Sequence, residues 1–135
     1  MSERTLVVIK PDGVRKGLVD EIKRRIEGAG LRITAEMVTR LSRGTAEKLY
    51  EPHRGRDFFG PLVEFMISGD VVVMRVEGDR AISRMREISG NTDPRLAPEN
   101  TIRGRFGTTV RENVIHSSDS PETAERELAI FFRGK

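Results

Sequence analysis

The sequence has no cysteine, and its 135 residues include only two histidines, His53 and His116. Without cysteine the chain cannot form a disulfide, a thiolate nucleophile or a Cys-ligated zinc site. Two histidines are too few for a histidine-rich metal centre, although a metal ion that arrives with a phosphate substrate remains open. Any chemistry that requires an imidazole must therefore use one of these two side chains.

Long hydrophobic runs are also missing. No stretch approaches the roughly 18 apolar residues that a membrane-spanning helix needs. The first apolar run, Leu6–Ile9, is too short for a signal peptide and follows an acidic residue, Glu3. The sequence thus predicts a soluble, cytoplasmic protein without a membrane partner, and its length fits a single domain over residues 1–135.

The charge balance is basic without being extreme. The formal net charge is +3, from 24 basic and 21 acidic residues, and the sequence pI is about 9.7. Such a balance suits an anionic substrate such as a nucleotide, or weak contact with nucleic acid. Most of the charged residues are expected to be ordinary solvated surface, since both signs are interspersed.

Hydrophobic periodicity predicts four strands and five helices. The strands are predicted at 5–9, 31–41, 71–76 and 113–116, and the helices at 18–28, 45–50, 58–67, 81–88 and 121–131. Turns are predicted at 10–13 and 77–79, and residues 89–112 have almost no periodicity. Loops of this length in a compact domain are usually functional.

This order of elements is a split β-α-β pattern. It predicts a ferredoxin-like α+β fold, a four-stranded antiparallel sheet with helices packed around it, and we expect these helices on one face of the sheet. The fold alone does not fix a function.

The segment with the most chemical character is Asn113-Val-Ile-His-Ser-Ser-Asp119, where a histidine ends an apolar strand just before a helix. A lone histidine is more often structural than catalytic. Here, however, Lys10 ends the first strand and an arginine-bearing loop precedes the last one, so the ends of the sheet can bring basic side chains to the histidine.

This segment resembles the active-site signature Asn-x-x-His-Gly-Ser-Asp of the nucleoside diphosphate kinase family. Other segments resemble the same family in order and spacing, over nearly the whole chain: Thr5-Leu-Val-Val-Ile-Lys-Pro-Asp-Gly-Val, Tyr50 with Phe58-Phe59, Gly90-Asn-Thr-Asp-Pro94, Thr101-Ile-Arg-Gly104 and Glu127. The agreement of several separate motifs is much more specific than one short match.

The resemblance implies a ping-pong phosphotransferase. A nucleoside triphosphate such as ATP would give its γ-phosphoryl group to His116, and a nucleoside diphosphate would then accept it. A neutral imidazole is available as a nucleophile near pH 7. The resemblance also implies Mg²⁺ carried on the nucleotide phosphates, no dedicated protein metal site, and a homo-oligomer, with a hexamer favoured over a tetramer.

The resemblance also implies roles for individual residues. Lys10, Arg86, Thr92 and Arg103 would contact the phosphates, and guanidinium groups suit this because they offer parallel donors to phosphate oxygens. The nucleoside would be bound by Phe58 stacked on the base, Val110 on its other side, and Asn113 at the ribose. Tyr50, Ser118 and Glu127 would support the histidine. Asp119 could join them or start the last helix, and we expect His53 at the surface.

Three positions depart from the family pattern. Ser117 replaces the glycine that usually follows the histidine, Asn100 replaces another usual glycine, and Arg105 stands where relatives often have an acid. A glycine can serve an unusual φ or a close approach, and asparagine is its best replacement at a left-handed position. None of these changes removes a proposed reacting group.

The alternatives to a phosphotransferase are an RNA-binding module and a scaffold protein without activity. An RNA-binding module of similar fold would need a basic-Gly-aromatic motif, which Arg103-Gly-Arg-Phe-Gly107 only partly matches, so nucleic-acid binding is at most weak and secondary. A relative that has lost catalysis and acts as a scaffold is the other, and the presence of His116, Lys10 and Arg103 argues against it.

Overall fold

Continuous β-branched and apolar runs form the centre of a four-stranded sheet. In the structure, a computed structural model that describes residues 2–133, the strands are β1 (Ser2–Ile9), β2 (Arg32–Thr39), β3 (Val71–Asp79) and β4 (Ile115–Ser117). Their order is β2-β3-β1-β4 and all the pairs are antiparallel. The ferredoxin-like α+β fold predicted from the sequence is confirmed.

Seven helices surround this sheet. They are α1 (Pro11–Arg15), α2 (Val19–Gly28), α3 (Arg43–Leu49), α4 (Phe59–Met66), α5 (Ala81–Ser89), α6 (Ile102–Phe106) and α7 (Pro121–Phe132), with single 3₁₀ turns at Glu51–His53 and Pro94–Leu96. Within residues 2–133, no helix is both long and apolar enough to cross a bilayer.

The helices cover both faces of the sheet, so the expectation of one covered face was wrong. In β1, Leu6 and Val8 belong to a core with helices α3, α4 and α7. Val7 and Ile9 belong to a second core with α2, α5 and α6. Since side chains alternate between faces, a strand that is apolar at every position must be buried on both sides.

Two predicted turns were also wrong. Residues 77–79 continue β3, because Glu77 and Gly78 pair with Arg4 and Glu3 of β1, and the chain turns at Arg80 with φ 52° instead. A Cβ on Gly78 would lie 2.6 Å from Cδ2 of the buried Leu31, so a larger residue there would have to displace the Leu31 side chain. The Pro-Asp-Gly segment after β1 forms helix α1, which tolerates proline in its first turn.

The long aperiodic stretch 89–112 is folded back on itself. Thr101 caps helix α6 by accepting a hydrogen bond from the Gly104 amide at 3.1 Å. A Cβ on Gly104 would lie 2.0 Å from the Pro98 carbonyl oxygen, so glycine is needed for this close approach. Asn100 is not left-handed, contrary to expectation: in residues 2–133 the non-glycine residues with positive φ are Arg80 and Val114.

Candidate active site

A cleft of about 590 Å³ opens where β1 and β4 end and the 89–112 stretch folds over them. We call it the central cleft. Every predicted site residue except Ser118 lines it: Lys10, Tyr50, Phe58, Arg86, Thr92, Arg103, Val110, Asn113, His116 and Glu127. These side chains come from elements distributed over most of the chain, and the antiparallel sheet brings them together.

His116 lies at the middle of β4 and is held from one side by helix α7. Its Nε2 atom lies 3.0 Å from Oε1 of Glu127, whose side chain is only 3% exposed. Ser118 donates to the same carboxylate oxygen at 2.8 Å. The Ser118 hydroxyl in turn accepts the Leu6 amide of β1 at 3.2 Å. Ser118 therefore acts behind the cleft, through the carboxylate, and does not line it.

This contact defines the protonation pattern of the imidazole. A carboxylate only accepts hydrogen bonds, so the Nε2 atom of His116 must carry the proton that faces Glu127. In the neutral ring the other nitrogen, Nδ1, is then unprotonated and has its lone pair available. The side chain of His116 is 16% exposed. The contact with Glu127 thus gives a partly accessible imidazole with a fixed tautomer.

Tyr50 packs edge-on against the His116 ring. The ring centroids of Tyr50 and His116 are 5.4 Å apart, with an interplanar angle of 81°. Tyr50 is buried, and its hydroxyl has no hydrogen-bond partner within residues 2–133. Burial, followed by the nearby Glu127 carboxylate, raises the pKa of the Tyr50 phenol. The hydroxyl therefore remains a protonated donor at the wall of the cleft.

Lys10 is a buried amine directed at the 113–116 segment. Its Nζ donates to Oδ1 of Asn113 at 2.8 Å and to the Arg111 carbonyl at 3.4 Å. Burial, followed by the charge of Arg103, lowers the pKa of Lys10 to about 7, although Asp12 acts in the opposite direction. An anion next to this amine would favour its charged form.

Arg103 is fixed by the backbone. Its Nη1 and Nη2 atoms donate to the carbonyls of Gly90 and Ile115 at 2.9 and 2.8 Å, while Nε has no partner within the described residues. Burial, with Arg86 as the next contribution, lowers the pKa of Arg103 to about 10. Arg86 itself is exposed along the cleft. Together with Lys10 these residues give the cleft an excess of cationic groups over its carboxylates.

Exposed apolar side chains mark the mouth of the cleft. Phe58 is 42% exposed and Val110 is 52% exposed. Asn113 is buried, and its Nδ2 atom donates to the carbonyls of Thr92 and Val110, both at 2.9 Å. Asn113 therefore joins the loop that carries Thr92 and Val110 to the strand end that carries Lys10.

The sequence interpretation missed several lining residues. His53 was expected at the surface, but it is half-buried in the cleft, with its ring centroid 5.2 Å from that of Phe58 and 6.2 Å from that of Tyr50. In the sequence, the indication of this position is that His53 follows Pro52 and lies between Tyr50 and Phe58. Asp119 lines the cleft, whereas Ser120 caps helix α7 through the Thr123 amide. Arg111 and Arg126 also line it.

Ser117 fits its position without strain. It is a strand residue that pairs with Val7, is buried, and does not have a positive φ. The structure therefore gives no conformational reason for glycine at this position. The partial RNA-binding match at residues 103–107 falls mainly on helix α6, whereas such motifs present their aromatics from a sheet.

Comparison with known proteins gives a consistent result. A family model described as nucleoside diphosphate kinase matches residues 3–135. The chain is 54% identical to the nucleoside diphosphate kinase of Streptomyces avermitilis, with 100% of this chain and 99% of the relative covered. It is 51% identical to that of Saccharolobus solfataricus, with 98% and 96% covered.

Solved structures agree with these relatives. The Aquifex aeolicus nucleoside diphosphate kinase superposes with a TM-score of 0.95 at 44% identity, covering 99% of this chain and 97% of that one. A halophilic nucleoside diphosphate kinase from Halobacterium salinarum, in complex with CDP, superposes with a TM-score of 0.94 at 40% identity, covering 98% and 88%.

Proposed function

The chain belongs to the nucleoside diphosphate kinase family, and we propose that its central cleft transfers the γ-phosphoryl group between nucleotides through a phosphohistidine at His116. The enzyme is a phosphotransferase. The observation that supports His116 as the nucleophile is the 3.0 Å contact of its Nε2 atom with Glu127. Because this contact places the proton of the neutral ring on Nε2, the lone pair of Nδ1 is available for the transfer.

The reaction has two balanced halves. The Nδ1 lone pair of His116 forms a bond to the γ-phosphorus, the bond from that phosphorus to the β–γ bridging oxygen breaks, and a nucleoside diphosphate leaves with the electron pair. A second nucleoside diphosphate then attacks the phosphohistidine with a terminal oxygen and restores the imidazole. A covalent intermediate divides one transfer into two easier steps, and positioning plus charge stabilisation supply most of the catalysis.

The cationic lining is suited to a polyphosphate. We assign phosphate contacts to Lys10, Arg86 and Arg103, with Thr92 beside them. Within residues 2–133 no group of three or more His, Asp or Glu side chains is placed to hold a metal ion. Mg²⁺ would enter with the nucleotide as part of the substrate complex and would neutralise part of the phosphate charge.

The apolar mouth of the cleft is suited to the nucleoside. Phe58 and Val110 are exposed there and would contact the two faces of the base, while Asn113 would reach the ribose hydroxyls. Stacking on an aromatic face is tolerant of base identity, which supports the use of several nucleoside di- and triphosphates. A ribose hydroxyl that donates to Oδ1 of Asn113 would compete with Lys10, which donates to the same oxygen.

The test of this function follows the phosphoryl group. The protein is incubated with γ-labelled ATP and Mg²⁺, and we expect acid-labile, base-stable label on the folded chain that an unlabelled nucleoside diphosphate then removes as labelled triphosphate. Folded protein that takes up no label, or that keeps its label when the diphosphate is added, would contradict the proposal and favour the scaffold function.

Glu127→Ala is expected to slow this transfer without abolishing it. The loss should be about 10- to 100-fold in kcat, the size typical of a group that orients a histidine through its second nitrogen. His116 would lose the acceptor that fixes its tautomer, and Ser118 would lose its partner. Single-turnover labelling measures the effect, and Glu122→Ala, an exposed acid on the same helix, is the matched control. Equal losses in both variants would contradict the orienting role.

We also propose, from the family alone, that the protein is a cytoplasmic homo-oligomer, a hexamer rather than a tetramer, built from a single domain per chain. Sedimentation equilibrium measures the number of chains. A tetramer or a monomer at assay concentration would correct this assignment without affecting the proposed chemistry.

A further inference from the structure

The chain makes a strained turn immediately before the strand that carries His116. The Ile115 amide donates to the Asn113 carbonyl at 2.9 Å, and Val114 between them has φ 78°. A hydrogen bond from residue i+2 to residue i around a residue of this φ is the rare, strained form of the γ-turn. A β-branched residue at positive φ is a backbone outlier. Val114 is fully buried, so its conformation must be imposed by its neighbours.

Both peptide groups of Val114 are held by one short segment, residues 10–12, at the end of β1. The Val114 amide donates to Oδ2 of Asp12 at 3.0 Å. The Val114 carbonyl accepts the Lys10 amide at 2.8 Å. Asp12 is 2% exposed, and its other carboxylate oxygen has no hydrogen-bond partner within residues 2–133. Within the described residues, this buried carboxylate therefore accepts its hydrogen bond from the strained amide.

The residues on either side of this turn contact the basic side chains of the cleft, and His116 follows them. The residue before it, Asn113, accepts the Lys10 ammonium at 2.8 Å. The residue after it, Ile115, accepts Nη2 of Arg103 at 2.8 Å through its carbonyl. His116 follows directly. If Val114 relaxed to a negative φ, the carbonyl and amide directions on both sides would change, and these contacts could not all be kept.

We propose that Asp12 is a positioning residue for the phosphoryl transfer: it holds Val114 in the strained turn, and the turn sets the relative positions of Lys10, Arg103 and His116. The inference rests on the proposed function of the central cleft. Residues kept in sparsely populated conformations cluster at functional sites because the surrounding contacts over-determine them.

The test is a double-mutant cycle that changes the strain and the packing separately. Glycine adopts a φ near +78° without penalty, whereas alanine keeps the penalty of a Cβ. Val114→Ala and Val114→Gly both remove the two γ-methyl groups, so the two variants differ only by the Cβ. We expect Asp12→Ala to lower kcat/KM about 10-fold or more in the parent and in the Val114→Ala background, but less than about 3-fold in the Val114→Gly background.

A conservative variant separates the hydrogen bond from the charge. Asp12→Asn keeps an oxygen that can accept the Val114 amide, and we expect it to recover most of the activity lost in Asp12→Ala. A loss in Asp12→Asn as large as in Asp12→Ala would overturn the proposal, since the charge rather than the turn would then be responsible. Equal losses in the Val114→Gly and Val114→Ala backgrounds would overturn it as well.

Folding is followed in the same samples by thermal unfolding. An Asp12→Ala chain that folds only beside Val114→Gly would support the proposal through stability, and one that unfolds in both backgrounds would contradict it. The parent chain is labelled first with γ-labelled ATP. A parent that takes up no label is a failure of the proposed function, whereas the dependence of the Asp12→Ala effect on residue 114 tests only the positioning role.

Discussion

His116→Ala is expected to take up no label from γ-labelled ATP and to lose phosphotransfer by about 10⁴-fold or more, because the variant lacks the proposed covalent nucleophile. The imidazole is the group whose Nδ1 lone pair would form the phosphorus–nitrogen bond. The cationic lining remains in the variant, so nucleotide binding should persist. Binding is measured by equilibrium dialysis with a labelled diphosphate.

The other histidine is the natural control. His53→Ala removes a ring from the same cleft, 5.2 Å from Phe58 by ring centroid, but leaves His116 and Glu127 in place. We expect this variant to become labelled. Label on His116→Ala together with none on His53→Ala would transfer the nucleophile assignment to His53, and label on both would mean that neither histidine is required.

Lys10→Met is expected to lower kcat/KM by about 10²- to 10³-fold, as is typical when one preorganised group that stabilises transition-state charge is removed. The buried ammonium is positioned next to Asn113 in the cleft. Methionine keeps the length and apolar volume of the side chain but not its charge. Lys48→Met, a change at an exposed lysine outside the cleft, is the matched control and should have little effect.

The expected pH dependence of kcat/KM follows from the pKa of Lys10, which is about 7 in the free protein. As pH rises through 7, Lys10 loses its charge, so kcat/KM should fall, since this ratio reports the free enzyme. Bound phosphates favour the charged form, so kcat should hold to higher pH. A kcat/KM that is flat between about pH 6 and 9 in the parent would contradict this role.

The same shift predicts a stability effect of opposite direction. The pKa of Lys10 is about 7 in the folded chain and near its ordinary value of 10.5 in the unfolded chain, so between these pH values the unfolded chain binds more protons. The free energy of unfolding should therefore rise with pH across this window. Lys10→Met should lack this rise. Urea unfolding of both proteins at several pH values measures the difference.

The sequence predicts the elements that depend on local hydrophobic periodicity better than those that depend on contacts with other parts of the chain. The strand in 71–76 and the apolar stripes of the helices follow from local periodicity, and they were predicted. Helix α6 was missed because its short capped turn is stabilised by contacts with the rest of the 89–112 stretch, such as the approach of Gly104 to Pro98. Periodicity carries no information about such contacts.

The site shows the same limit. The grouping of Lys10, Arg103 and His116 could be anticipated from family motifs, but the strained turn at Val114 could not. Its conformation depends on Asp12, which is 102 residues away in sequence. His53 was misjudged for a related reason: its polar neighbours indicated a surface, while the 3₁₀ turn at Glu51–His53 directs its ring towards Phe58.

The buried basic side chains of the central cleft make the stability of the folded chain depend on the concentration of anionic ligands. Lys10 and Arg103 are buried, and within residues 2–133 neither is paired directly with a carboxylate. A ligand that binds only the folded chain stabilises it by RT ln(1 + [L]/Kd). A polyphosphate that neutralises these groups would act in this way. The stability of the folded protein in a cell would then depend on the nucleotide concentration. A fall in nucleotide concentration would therefore lower the amount of folded enzyme as well as its catalytic rate.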